Sequence, residues 1–386
     1  MESLTTQKKN KMNLVINEEQ QMLKTSAKEF LKNKAPIEAL RKLRDSNDPN
    51  GYDTQLWKEM AEMGWASLNI TEAYGGMDFG FVGFGQVLEE MGRTLVASPM
   101  VSTCLVGTSI INFGGNTMQK ENYLPRIADG SILLSLASEE SNAHRPFEVA
   151  TQYSKTESGF SISGKKVFVL DGNVADHFIV TTTDADNNGI TLFIVDAKSE
   201  GITVEKKIMM DSRNAAIVTF ENVKVTEADL IGAEGKGKKT LEKALDIARI
   251  GLSAEMLGSM QEAFDRTIAY LKERKQFGVV IGTFQALQHR AAHMYCEIQI
   301  CKSLVIKALQ AIDTDSPMLP YMASMTKSKV GETLQLVTNE GIQLFAGIGM
   351  TDDEEIGFFM KRARVAQQTF GDYNYHLDRF ASLSGF

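Results

Sequence analysis

The sequence predicts an α+β multidomain chain: an N-terminal helical domain, a central small β-barrel or sandwich, and a C-terminal four-helix bundle. Three observations carry this. Apolar residues recur at helical spacing up to about residue 130. Segments rich in β-branched and aromatic residues, parted by turn signals, fill roughly 131–232. Helical spacing then returns and persists to the C-terminus. The implied domains are 12–130, 131–232 and 233–386. Residues 1–11 form a polar extension ahead of Met12, a possible internal start.

In the first region, Asn17 with Gln20 reads as a capping box. Met22, Leu23, Ala27, Phe30 and Leu31 follow at helical spacing, and Trp57, Met60, Ala61 and Met63 continue the pattern. YGGMDFGF (74–81) is a Gly-rich break before a further helix, VLEEMGRTL. In the second region, FSISGKKVFV, DHFIVTTT, ITLFIVDA and AAIVTFENVKV read as strands, with DNNG (186–189) as a turn. In the third, GAEGKGKKTLEKAL leads into a long helix through Ala248 and Arg249. A second begins near Phe284, with Leu287, Ala291, Met294, Ile298, Cys301, Val305 and Ala308 on a narrow stripe suited to an antiparallel bundle.

Composition narrows the function. The 386 residues suffice for two or three domains. A net charge of −8 argues against a nucleic-acid surface. No apolar run is long enough to span a membrane, and the N-terminus lacks the apolar core of a signal peptide. Three sparse cysteines, Cys104, Cys296 and Cys301, without a CxxC, point to reduced thiols and a cytoplasmic protein. The helical pattern places Cys296 and Cys301 in the core. No His/Cys cluster has metal-ligand spacing, so no metal is expected.

Several separated motifs, in order, resemble the acyl-CoA dehydrogenase family of flavoproteins. RKQFGVVIGTFQ (274–285) matches the family's R-x-Q-F-G and I-x-x-F-Q, and QLFAGIGMT (343–351) matches Q-x-x-G-G-x-G with Ala346 in place of the first paired Gly. GKKVFVLDGNVAD (164–176) and TEAYGG (71–76) resemble two further family segments. The resemblance covers nearly the whole chain from Met12. It implies FAD, held by Arg274, Gln276, Phe277, Phe284, Gln285, Gln343, Gly347 and Gly349. Arg274 offers a permanently charged fork for the pyrophosphate, and the glycines allow close backbone approach. The resemblance also implies that the Arg segment and the Gly pair come from different subunits, so that FAD sits at a subunit interface. The assembly is then a homodimer or homotetramer, or an α2β2 pairing with a related chain. The substrate is an acyl-CoA. A carboxylate base takes its α-proton, a hydride moves to flavin N5, and electrons pass on to an electron-transfer flavoprotein.

The chain departs from the family where the base belongs. The usual Glu position falls on Gly371, with Asp372 one residue later in QQTFGDYNYHLDR (367–379). A second base position known in the family falls on Ala248, beside Arg249. Leu170 replaces a Thr that hydrogen-bonds the flavin, and SEESNAHRPFEVAT (138–151) keeps only Glu139 of a family loop. These features resemble a branch that includes the small subunit of pimeloyl-CoA dehydrogenase and subunits of steroid side-chain acyl-CoA dehydrogenases. Asp372 is either a relocated base or the N-cap of a last helix. Arg249 is either a site residue near the thioester or part of a buried ion pair. His376 and Arg379 share a face of that helix, with His376 expected to be exposed. Two readings stay open: an acyl-CoA-oxidising flavoenzyme, alone or with a base-bearing partner, and a base-deficient subunit that holds FAD or only the fold. The acyl group and the direction of reaction are not legible.

Overall fold

The computed structural model describes residues 14–386; the extension 1–11 and Met12 lie outside the described residues. The first helix, α1 (Glu18–Lys34), starts on the expected box: Asn17 Oδ1 accepts from Gln20 N at 2.8 Å, and Asn17 N donates to Gln20 Oε1 at 3.0 Å. Helices α2 (Ile37–Ser46), α3 (Thr54–Glu62) and α4 (Gly80–Thr94) follow. A π-helical segment, Met100–Gly107, runs into α5 (Thr108–Gly114), and α6 (Thr117–Ala128) closes the region. Trp57, buried on α3, donates its indole N–H to Gly130 O at 3.0 Å and ties α3 to the end of α6.

The β region contains two four-stranded sheets. One has the order β1 (Leu134–Ala137), β4 (His177–Thr182), β5 (Thr191–Asp196), β8 (Leu230–Ile231); only β1 and β4 are parallel. The other is antiparallel, in the order β2 (Gln152–Thr156), β3 (Gly159–Leu170), β7 (Asn214–Val225), β6 (Ile202–Ile208). A lone bridge, Gln152 to Thr183, joins them at one corner. The barrel is therefore flattened into two faces. Phe160, Phe178, Phe193 and Phe220 fill the space between, with rings meeting edge-on or tilted.

The last region is built on α7 (Lys238–Glu273), buried on every side from Ala244 to Met260, as befits the central helix of a bundle. It is joined by α8 (Gln285–Asp313), α9 (Leu319–Phe345) and α10 (Ile356–Gln368), and a short α11 (Tyr373–Leu383) packs on α9. Helices α4 and α7 cross through glycine: a Cβ on Gly92 would overlap Glu255 O, and one on Gly258 would overlap Glu89 O. On α8 the stripe residues Met294, Ile298, Cys301, Val305 and Ala308 are buried, but Cys296 is exposed. Five residues along a helix is a rotation of about 140° from Cys301, which corrects the placement of both thiols in the core.

Candidate active site

A cleft of about 400 Å³ opens where the β region meets the helices. Ser102 and Val106 of the π-helical segment form one wall, and Leu136, Leu170, Ala215 and Ile217 from the sheets form another. Gln368 and Phe370 close one end. Strand β3 turns its wall residues inward through a bulge. Lys166 pairs with Val218 but Val169 with Ala216, so one extra residue is accommodated and Phe168 takes φ 51°. The bulge is tied to the 138–145 loop by Val167 N donating to Glu139 O at 2.8 Å.

That loop carries two adjacent acids with different roles. Glu140 points inward, accepting from Ala150 N (2.6 Å), Thr151 N (2.9 Å) and Lys166 Nζ (2.6 Å). Burial works against its charge, but Lys166 and the Thr151 donors hold its carboxyl below the usual range. Burial pushes Lys166 down to about 8. Glu139 instead lines the cleft beside His144. Its Oε1 lies 2.6 Å from His144 Nδ1, and its Oε2 accepts from Arg145 N at 3.1 Å.

Behind the cleft is a buried polar cluster. Arg249 is fully buried and its donors are committed: Nη1 to Asp246 (2.9 Å), Nε to Phe370 O (3.1 Å), and Nη2 toward Tyr375 Oη (3.2 Å) and His144 Nε2 (3.1 Å). It forms a buried ion pair with Asp246, which Arg379 shares. Lys327, also buried, donates to Gln367 O (3.0 Å) and Gly371 O (2.9 Å). Burial and the nearby Arg249 charge push it down to about 7, against the pull of Asp372. His376 is buried, not exposed as expected: Nε2 lies 3.1 Å from Phe370 O and Nδ1 3.4 Å from Ser324 Oγ. Burial, with Arg249 and Lys327 nearby, holds its pKa far below the usual range. Arg379 meets the same Ser324 Oγ at 2.9 Å, as their shared face requires. The segment 367–371 is thus held from behind by three cationic or imidazole side chains.

Asp372 caps α11, its Oδ1 accepting from Tyr375 N at 2.8 Å. It faces a separate depression beside Tyr373 rather than the cleft. Ala248 is fully buried. Gly371 has φ 105°, and a Cβ there would lie 2.5 Å from Tyr375 Cδ1, 2.9 Å from His376 Nε2 and 3.0 Å from His144 Cδ2. The space a side chain at 371 would enter is filled by these rings.

The predicted cofactor residues lie elsewhere. Arg274 sits at the C-terminal end of α7, exposed and without an ion pair among the described residues. Gln276 and Phe277 belong to a small hairpin, Lys275–Gln276 against Val279–Val280, with Phe277 90% exposed. Phe284 and Gln285 start α8, and the Phe277 and Phe284 rings meet edge-on at 6.2 Å. Gln343 lies in the last turn of α9, and Gly347 has open space where a Cβ would stand, whereas Gly349 is buried. Tyr270 stacks on Phe345 at 4.3 Å. The C-terminal ends of α7 and α9 therefore meet, because α8 runs back between them. Within a single chain the Arg segment and the Gly pair are thus presented at the same end of the bundle. Arg249, beside the cleft, and Arg274 are twenty-five residues apart along α7, about 37 Å at 1.5 Å per residue.

The residues present fit FAD as two half-sites. The cleft offers an apolar wall for a flat ring, and the far end of the bundle offers an unpaired guanidinium, exposed aromatic faces and open glycine backbone for a dinucleotide tail. Sequence reasoning missed His144, Lys327 and Ser324. For Lys327 a signal existed: a Lys flanked by Thr326 and Ser328 among the small and apolar residues of α9.

Fold and cleft together define a class, a multidomain protein with a cofactor-sized cleft at the seam of a β domain and a helical bundle. Comparisons with known proteins agree. The profiles of the acyl-CoA dehydrogenase N-terminal, middle and C-terminal domains match residues 17–131, 136–223 and 235–382. The mitochondrial short/branched chain specific acyl-CoA dehydrogenase of Bos taurus is 30% identical over 375 residues, covering 94% of this chain and 85% of that one. The structure of butyryl-CoA dehydrogenase from Megasphaera elsdenii superposes with a TM-score of 0.90 at 26% identity, covering 97% of this chain and all of that one. A steroid acyl-CoA dehydrogenase variant superposes at 0.86 with 29% identity, covering 95% and 98%. The chain belongs to the acyl-CoA dehydrogenase family. Members are FAD-dependent oxidoreductases that act on acyl-CoA. Among the described residues, no cluster could hold a metal, and no helix is long and apolar enough to cross a membrane.

Proposed function

We propose that this chain oxidises an acyl-CoA thioester to the 2,3-enoyl-CoA, with FAD shared between two chains and electrons passed to an electron-transfer flavoprotein. The observation that carries this is the split cofactor surface: a ring-sized cleft backed by Arg249 and an unpaired half-site at Arg274, two residues about 37 Å apart along α7. One FAD does not reach both within a chain, so the cleft of one copy is completed by the bundle end of another copy or of a related chain. Exposed Phe277, Phe284, Ile348 and Met350 around Arg274 support burial of that face in an assembly. Bound there, FAD supplies the hydride acceptor. The chain's own residues seat the thioester against the apolar wall, exclude water, and hold the 367–371 segment rigid through Arg249, Lys327 and His376.

A second reading is favoured by one observation. Because Tyr375, His376 and His144 fill the space at Gly371, the chain also suits the role of a FAD-holding subunit whose partner brings the base. Expressing the chain alone and with a base-bearing relative separates the two. A yellow assembly of this chain alone that forms enoyl-CoA supports the first reading. A colourless chain that becomes active only with the relative overturns it.

A further inference from the structure

Resting on that first reading, the thioester needs a group to take its α-proton, and the cleft presents one. We propose that Glu139 is the proton acceptor and that His144 positions it. Among the described residues lining the cleft, Glu139 is the one carboxylate. The other acids close by do not line the cleft: Asp372 caps α11, Glu140 turns to Lys166 and two backbone N–H groups, Asp246 pairs with two arginines, and Asp171 accepts from Ser102 Oγ at 2.6 Å. The Glu139 side chain keeps 14% of its surface open.

The hydrogen-bond chain fixes the imidazole. A guanidinium has only donors, so His144 Nε2 must accept from Arg249, and the ring proton sits on Nδ1, donated to Glu139 Oε1. His144 therefore has no lone pair left to act as base, and burial keeps it neutral. Glu139 uses two acceptor positions, on His144 and Arg145 N, of the roughly four a carboxylate carries. In the reaction the α C–H bond breaks and its proton bonds to a Glu139 oxygen. FAD, held in the cleft, would supply the two-electron acceptor for the β-hydrogen and its electron pair, so that the pair left at the α-carbon would form the α,β double bond.

The test uses the full-length FAD-loaded protein in its native assembly. It is mixed without oxygen with straight-chain, branched, dicarboxylyl and steroid acyl-CoAs, following flavin bleaching and, in heavy water, deuterium entry at the α-carbon. Glu139→Gln is expected to slow both by roughly 10²–10⁴-fold with flavin content and acyl-CoA affinity retained. Glu139→Asp should fall between, and serves if the amide variant folds poorly. His144→Gln should lower the bleaching rate without changing acyl-CoA affinity. Independently of turnover, nitrogen-15 spectra of the cofactor-free protein should show His144 neutral and protonated on Nδ1. Wild-type bleaching and exchange rates in Glu139→Gln overturn the assignment and leave the proposed reaction standing. An Nε2-protonated His144 overturns its positioning role. A wild-type protein that holds FAD yet neither bleaches nor exchanges with any of these thioesters overturns reaction and assignment together.

Discussion

Lys327→Met should change how stability depends on pH. Lys327 is buried, and its ammonium donates to Gln367 O and Gly371 O with no carboxylate in hydrogen-bonding contact. Burial and Arg249 lower its pKa from 10.5 to about 7. Below pH 7 the lysine is protonated whether folded or unfolded, and the fold carries the full cost of a buried cation. Between 7 and 10.5 the unfolded chain binds the proton and the folded chain does not, so stability rises with pH. At 1.36 kcal/mol per pH unit the whole span is on the order of 5 kcal/mol as an upper limit, and about 2–3 kcal/mol from pH 7 to 9. Methionine has a similar length and no charge. It removes this slope and leaves two carbonyls unpaired, a pH-independent loss of about 1–3 kcal/mol for each. Urea unfolding at pH 6, 7.5 and 9, followed by helical circular dichroism, measures the difference between wild type and variant. The wild type should gain on the variant as pH rises and not below pH 7. Parallel curves would refute the idea of a destabilised cation holding the segment beside the cleft.

Other outcomes follow from the same geometry. Gly371→Glu puts a side chain into space held by Tyr375 and His144 at φ 105°; it should cost about 2–5 kcal/mol in urea unfolding and should not raise flavin reduction. Asp372→Ala removes the α11 cap and should cost about 1 kcal/mol while leaving bleaching by acyl-CoA intact; loss of bleaching would make Asp372 the base after all. Ala346 takes φ 56° and ψ −140°, a conformation that glycine adopts without strain, so Ala346→Gly should gain about 1 kcal/mol, read as a higher urea midpoint.

Much of the frame was legible because it is periodic. The Asn17–Gln20 box and the α8 stripe from Met294 to Ala308 repeat local rules that tertiary contacts reinforce. The failures share a cause. Cys296 and Cys301 share one helical pattern in the sequence, yet five residues turn a helix past its buried face. His376 reads as a surface residue of an amphipathic helix, yet it fits under Phe370 because Ser324 on α9 and the 370 carbonyl offer partners there. That Arg274 and Gly347 share one end of the bundle depends on the parallel course of α7 and α9, which no local motif encodes. Glu139 was visible as the surviving acid of its loop, but its separation in role from Glu140 depends on Lys166, twenty-six residues away. The overlap at Gly371 likewise arises from residues on two separate segments, α11 and the 138–145 loop.

The most direct measurement is anaerobic mixing of the FAD-loaded protein with acyl-CoA thioesters, recording the flavin absorbance and the thioester product together. The account predicts that the yellow band bleaches with at least one saturated acyl-CoA and that the matching 2,3-enoyl-CoA forms in equal amount. A band that persists with every thioester, in a protein carrying a full complement of FAD, would contradict it.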